Sequence, residues 1–228
     1  MKSFMVVILA LLAGVSLIAL GAPRVIAELV SIPSAPLLKQ IQARQPIETE
    51  DLEILIASQR SGISWSLSGR KWTDLGLAQM LMAEKKKSSD ADRLRLINEA
   101  IYSLKSGLAV APASPFAWTR LAFAETMKAG QSPAALSAFR FGLGVAPYEP
   151  SLALARISLG FAVWPDLRPP EQRMILHQVR LAWKQREERK WLVEYAIREE
   201  RINLMRAALL RTPDDLAAFE QHLQRLSN

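Results

Sequence analysis

The chain has 228 residues, half of them apolar, and carries a formal net charge of +7 with a pI near 9.9. This length and apolar content suffice for one ordinary domain with a sizeable core. The absence of cysteine excludes disulfides and thiolate metal sites. The basic balance favours anionic partners such as acidic lipid headgroups or acidic polysaccharide, although a solvated basic surface has the same composition.

Residues 1–22 predict a membrane segment. Phe4 to Ala22 is an uncharged run, and a helix of that length spans roughly 28 Å, close to the hydrocarbon thickness of a bilayer. The alternative is a signal peptide cleaved near Gly21, but the apolar stretch of such peptides is usually about 7–15 residues long. We therefore favour an uncleaved single-pass anchor in the inner membrane. Its short N-terminal tail is expected in the cytoplasm, so the C-terminal domain is expected in the periplasm.

Residues 23–48 predict a stalk, because proline lacks a backbone donor and breaks helices. The segment contains Pro23, Pro33, Pro36 and Pro46. We expect at most one short helix in it, Leu37–Arg44. Thr49 is a candidate cap for the next helix, and residues 49–228 are predicted to form one helical repeat domain.

Two segments of this domain repeat. Trp72-Thr73-Asp74-Leu75-Gly76-Leu77-Ala78 resembles Trp118-Thr119-Arg120-Leu121-Ala122-Phe123-Ala124, and Gly107–Pro112 resembles Gly142–Pro147. Self-similarity at a period near 34 residues is typical of stacked helical hairpins. Because each unit of such an array packs only on its neighbours, the stack presents a groove to another molecule.

The apolar spacing predicts helices along the rest of the domain and no strand of useful length. The helix from about Arg93 to Ala109 carries the clearest stripe, and the charged stretch Glu84–Asp90 before it is predicted to be a loop. In the second hairpin Gly130 is expected to end a helix and Ser132 to cap the next one. A third, weaker hairpin continues to Trp183. Three amphipathic helices follow, carrying Trp191 to Ala196, Ile202 to Leu209, and Leu216 to Leu223.

Over residues 70–165 the chain resembles the tetratricopeptide repeat family, in which a Trp is followed by Leu-Gly and later by Ala, an aromatic residue and Pro. The residues that carry the resemblance are Trp72, Leu75, Gly76, Ala100, Pro112, Trp118, Leu121, Ala122, Ala135 and Pro147. The resemblance implies an all-α, TPR-like helical-hairpin solenoid, here preceded by a transmembrane helix. Small residues would let helices approach closely, and the tryptophans would fill the core.

A narrower likeness comes from the order of segments. An N-terminal membrane segment, a Trp-Thr-Asp-Leu-Gly helix, paired Ala-Pro closures and a basic C-terminal part look similar to the VpsP-like proteins of bacterial polysaccharide biosynthesis. This resemblance implies a role in envelope polysaccharide assembly or export.

A search for chemistry identifies no catalytic, cofactor-binding or metal-binding constellation. The two histidines, His177 and His222, are far apart in sequence, and the chain has no phosphate-cradling glycine loop. Glu125 lies on a repeat helix, and a helical glycan-cleaving enzyme would need such a residue, but no partner carboxylate accompanies it. We therefore expect no enzymatic activity and no cofactor.

The basic residues crowd the C-terminal third. Arg173, Arg180 and Lys184 are separated by seven and four residues, so they share one helix face that could meet an anionic partner. A solvated face with local ion pairs is the alternative. Nucleic acid is not expected as a partner, because interleaved aromatics are missing and the domain is expected outside the cytoplasm.

Two main hypotheses follow. The first is a membrane-anchored adaptor that holds a protein partner in the repeat groove. The second is an accessory protein that binds acidic polysaccharide directly through its basic C-terminal helices.

Overall fold

The computed structural model describes residues 2–86 and 91–227, with residues 2–10 and 227 described by their backbone alone. This part of the chain is helical throughout and contains no strand, which confirms the predicted all-α class. Its helices are α1 (Lys2–Val30), α2 (Ser34–Gln42), α3 (Thr49–Trp65), α4 (Gly69–Glu84), α5 (Ala91–Val110), α6 (Pro115–Ala129), α7 (Pro133–Val145), α8 (Ala153–Ala162), α9 (Pro169–Trp183), α10 (Arg186–Arg198), α11 (Ile202–Leu209) and α12 (Pro213–Ser227). Two short 3-10 turns, Pro150–Leu152 and Trp164–Asp166, flank α8.

The N-terminal helix is longer than predicted. It is long and apolar enough to cross a membrane over Leu11–Val30, with a mean hydropathy of 1.6 and few buried side chains. The prediction that the helix ends before Pro23 is wrong, because α1 continues through Pro23 to Val30. Proline removes one backbone hydrogen bond, and packing beyond it sustains the helix: Ala27 is buried against α3.

Much of the predicted stalk also packs on the helical domain. The expected short helix is present, although it begins earlier, at Ser34, and contains Pro36 in its first turn. The Gln59 side chain on α3 donates to Ser34 Oγ at 2.9 Å, and the buried Lys71 ammonium on α4 donates to Ser31 Oγ at 2.9 Å. Residues 27–34 are therefore part of the folded domain and not a free linker.

The chain divides into two compact units, Met1–Pro112 and Ala113–Asn228. In unit 1, α4 and α5 form an antiparallel hairpin that packs on α3. The residues of the predicted α5 stripe, Ile97, Ala100, Ile101, Leu104 and Leu108, are all buried. The predicted loop at Glu84–Asp90 begins where α4 ends, and its residues 87–90 lie outside the described part.

The repeated segments form matching contacts in their own units. A Cβ added to Gly107 would lie 3.2 Å from Trp72 Cβ and 3.0 Å from Thr73 Oγ1. A Cβ added to Gly142 would lie 3.2 Å from Trp118 Cβ and 3.5 Å from Thr119 Oγ1. In each hairpin the glycine lets the second helix approach the Trp-Thr pair of the first. The repeat in the sequence is therefore a repeat of helix–helix contacts.

Unit 2 contains the second hairpin (α6 and α7), a third (α8 and α9) and the three predicted C-terminal helices. Gly130 ends α6 with φ of 63°, and Ser132 caps α7 by accepting from the Ala135 N–H at 3.2 Å, both as predicted. In the third hairpin Gly160 packs against Ile175. Trp183 and Phe219 are fully buried, and their rings meet edge to face at 5.8 Å.

Candidate functional site

A groove of about 850 Å³ opens on unit 1 between α3, α4 and α5 and is called the unit 1 groove below. Its lining side chains come from all three helices: Arg60, Ile63 and Ser64 from α3, Trp72, Leu75 and Gln79 from α4, and Ala91, Leu94, Arg95, Asn98, Glu99, Tyr102 and Ser103 from α5. Trp72, Leu75 and Gln79 are spaced by three and four, so they fall on one face of α4. The α5 residues lie mostly off its buried stripe and turn towards the opening.

The floor of the groove is a polar network that joins the three helices. Glu99 Oε2 accepts from Arg60 Nη2 at 3.0 Å and from Gln79 Nε2 at 3.3 Å. Glu99 Oε1 accepts from Arg95 Nη1 at 2.7 Å, and Gln79 Oε1 accepts from Ser103 Oγ at 2.8 Å. Gln79 and Ser103 are buried, so the network holds the groove in a defined shape.

The charge of the groove is carried by two guanidinium groups and one carboxylate. Hydrogen bonds to Glu99 and then to Asp92 raise the pKa of Arg95, so this side chain remains cationic at any physiological pH. A guanidinium presents five donors in a fixed fork that matches a carboxylate. Arg60 and Arg95 are therefore suited to receive an acidic side chain that competes with Glu99.

The wall of the groove is aromatic and aliphatic. The Trp72 and Tyr102 rings meet edge to face with centroids 6.0 Å apart. Tyr102 is 66% exposed and Leu94 is 49% exposed, both at the rim of the groove. Such side chains bury a large apolar area when a partner covers them, and they lose little side-chain conformational entropy in doing so. The groove therefore suits an amphipathic peptide segment with one apolar and one acidic side chain.

Unit 2 has a smaller hollow of about 490 Å³ along α7. The exposed Phe141 ring stacks on Trp118 with centroids 4.9 Å apart and an angle of 21° between the rings. Arg140, at its edge, donates through Nε to Glu171 Oε1 at 3.1 Å and through Nη2 to the Asp166 carbonyl at 2.8 Å. In each unit, therefore, the repeated tryptophan contacts a second aromatic ring that is exposed, Tyr102 in unit 1 and Phe141 in unit 2.

Glu171 is the most strongly engaged carboxylate beside this hollow. Burial alone would raise its pKa, but hydrogen bonds from the Arg168 side chain and backbone, together with the charges of Arg140 and Arg168, lower the pKa below its usual value. The Arg168 N–H donates to Glu171 Oε2 at 2.8 Å, which closes the first turn of α9. This cluster joins α7 to α9 within unit 2.

Most of the residues predicted to pack the repeats are buried, whereas the two tryptophans are partly exposed. Those found buried are Leu75, Ala100, Leu121, Ala122 and Ala135, and a Cβ on Gly76 would lie 2.6 Å from Leu104 Cγ. Pro112 and Pro147 follow the ends of α5 and α7, as predicted. Trp72 and Trp118, which are expected in the core, are each partly covered.

The residues of the predicted anionic-partner face differ in their surroundings: Arg173 and Arg180 lie on α9, and Lys184 follows its last residue, Trp183. Arg173 and Lys184 are exposed, but Arg180 is half-buried and donates through Nη1 to the Ala208 carbonyl on α11 at 3.1 Å. Arg180 therefore serves the packing of unit 2. The sequence shows the common face of the three residues but not the neighbour that engages one of them.

Glu125 and the two histidines, His177 and His222, lie outside the unit 1 groove and the hollow along α7. Glu125 is buried on α6 and lines neither concave surface. The His177 ring meets Tyr148 edge to face, and His222 Nδ1 lies 2.8 Å from the Ala218 carbonyl. Within residues 2–86 and 91–227, no group of three or more histidines or acidic residues could hold a metal ion.

Sequence reasoning missed the groove residues Arg60, Leu94, Arg95, Glu99 and Tyr102. One signal was available: Leu94 and Tyr102 lie outside the apolar stripe of α5, where a solvent-facing helix side would carry polar residues. The chain matches no protein-family model, no curated protein and no solved structure.

Proposed function

We propose that the protein is a membrane-anchored helical scaffold whose unit 1 groove binds a peptide segment of a protein partner, and that it has no catalytic activity of its own. The single observation that supports this proposal is the composition of the groove. An exposed aromatic and aliphatic rim stands beside the hydrogen-bonded Arg60–Glu99–Arg95 network. This arrangement offers binding surface and charge recognition.

The setting of the scaffold rests on α1 and on the two resemblances. Helix α1 is long and apolar enough to cross a membrane. We propose that it does so in the inner membrane, with the chain after α1 on the periplasmic side. A TPR-like solenoid is a fold whose concave surfaces bind peptides, and the matching Trp-Thr and glycine contacts of the two hairpins favour it. The VpsP-like resemblance favours a role in envelope polysaccharide biosynthesis or export.

The second candidate function, direct binding of acidic polysaccharide through Arg173, Arg180 and Lys184, has less support. One of its three side chains is engaged with the Ala208 carbonyl. The two remaining cations, Arg173 and Lys184, are exposed.

The proposal is tested by photo-crosslinking in cells. A photoreactive phenylalanine analogue replaces Tyr102 in the groove, and in a matched control it replaces Tyr148, which is 61% exposed but lies outside the groove. We expect a discrete protein adduct from position 102 only. Leu94→Glu, a change at the exposed rim, should reduce that adduct several-fold without affecting folding. Equal adducts from both positions, or an adduct insensitive to Leu94→Glu, would contradict the proposal.

A further inference from the structure

The distance between the membrane segment and the folded part of unit 1 is short. Helix α1 is continuous from Lys2 to Val30, and its buried Ala27 packs against α3 at Gly62. At 1.5 Å per residue, Ala27 lies about 7 Å beyond Ala22, the end of the uncharged run. With no flexible linker between them, the unit 1 end nearest Ala27 is held close to the headgroups when the uncharged run Phe4–Ala22 of α1 spans the bilayer.

The direction of α3 is determined by its contacts with α1 and α2. A Cβ on Gly62 would lie 3.2 Å from the Ala27 carbonyl oxygen, whereas Gln59 bonds to Ser34. Increasing residue numbers on α3 therefore run towards the membrane end of α1. The connection from α3 to α4, residues 66–68, lies at that end, as does the C-terminus of α5, because Gly69 packs against Ala111.

This end of unit 1 carries an exposed apolar and basic surface. Trp65, the last residue of α3, is 48% exposed, and Leu67, within the connection, is 74% exposed. The Arg70 side chain is 85% exposed, and its Nε lies 3.7 Å from Asp74 Oδ2. Arg24 follows the uncharged run directly. Tryptophan concentrates at the bilayer interface, and basic side chains are attracted to anionic headgroups.

We propose that the connection between α3 and α4 is a second membrane contact, in which Trp65 and Leu67 enter the interface of an anionic phospholipid bilayer and Arg70 meets lipid phosphate. The inference rests on the anchoring by α1 in the proposed function. Two attachment points fix the orientation of unit 1, whereas one helix leaves it free to rotate. The unit 1 groove is then held in one orientation to the membrane, ready for a partner that is itself membrane-bound.

The absence of cysteine makes a site-specific test direct. Leu67→Cys in the full chain is labelled with an environment-sensitive fluorophore and reconstituted into vesicles of phosphatidylethanolamine and phosphatidylglycerol. The matched control is Ala57→Cys, exposed on α3 about 12 Å farther from the connection along the helix axis. Gly14→Cys, with no side chain within 4 Å, reports insertion of α1.

We expect shallow-depth spin-labelled lipid to quench the label at position 67 at least threefold more strongly than the label at 57, and Arg70→Glu to reduce that difference. Equal quenching at 67 and 57, with the label at 14 strongly quenched by deep spin labels, would overturn the second contact and leave the anchor intact. An unquenched label at 14 would overturn the anchor and, with it, both proposals.

Discussion

A glycine substitution in the third hairpin tests whether close helix contact, rather than helix propensity, selects glycine in this chain. A Cβ on Gly160 would lie 2.8 Å from Ile175 Cγ1, 3.0 Å from its Cδ1 and 3.1 Å from its Cγ2. Ile175 is fully buried and β-branched, so its side chain has little rotational freedom to move aside. Gly144, in the same unit, would place its Cβ in open space and is the matched control.

The expected magnitudes follow from two opposing terms. Alanine in place of glycine within a helix gains about 0.5–1 kcal/mol. Overpacking of a rigid core contact costs about 1–3 kcal/mol. Gly144→Ala should therefore stabilise unit 2 by up to about 1 kcal/mol, whereas Gly160→Ala should be less stable than Gly144→Ala by about 1–3 kcal/mol.

The assay is urea unfolding of the full chain in detergent, followed by circular dichroism at the helix band. A double-mutant cycle isolates the contact between the two residues. In an Ile175→Ala background the obstructing side chain is gone, so Gly160→Ala should raise the free energy of unfolding instead of lowering it. The reasoning fails if Gly160→Ala is as stable as Gly144→Ala, or if its effect is the same with and without the Ile175 side chain.

Two further predictions concern buried charges of unit 2. Glu171→Gln should destabilise by about 1–3 kcal/mol at pH 7; because the folded pKa of Glu171 is lowered, its contribution is present above the ordinary value of 4.5 and disappears as pH falls through the lower folded value. Thermal unfolding of wild type and variant from pH 7 to pH 3 should show the two converging at the acid end, and a gap independent of pH would contradict the assignment. Arg156 is fully buried and donates to the Gly142 carbonyl at 2.8 Å and to the Ala146 carbonyl at 2.5 Å. Arg156→Met should leave these two carbonyls at the end of α7 without the donors that Arg156 supplies. We expect the free energy of unfolding in urea to fall by about 2–3 kcal/mol. A stability equal to wild type would show that solvent replaces the guanidinium.

Most helices follow from local patterns that need no tertiary information. The stripe of α5, the Ser132 cap and the closing prolines after α5 and α7 each act within a few residues along the chain. The predicted cap of α3 is displaced by one position: Thr49 is the first residue of the helix, and Glu48 is its N-cap residue. The prediction that α1 ends before Pro23 is wrong, because the packing of Ala27 against α3 outweighs the local cost of a proline in a helix.

The candidate site depends on residues from three helices, and no local pattern brings them together. Arg60 and Glu99 meet at 3.0 Å across 39 positions of sequence, and Gln79 joins them from the helix between. Their types are ordinary for a solvated helix surface, where charges of both signs are common. Only the packing of α3 on the hairpin turns them into the floor of a groove.

The sequence alone determined the helical class, the N-terminal apolar segment and the repeated Trp-Thr and glycine pattern, because these depend on periodicity and on side-chain size at close contacts. The tertiary structure alone decided that the buried Lys71 bonds to Ser31 just after α1, that Arg180 serves packing, and that Tyr102 and Glu99 line the same groove. The reason is physical: periodicity specifies which side of a helix is buried, whereas the relative rotation and depth of packed helices specify which exposed side chains meet.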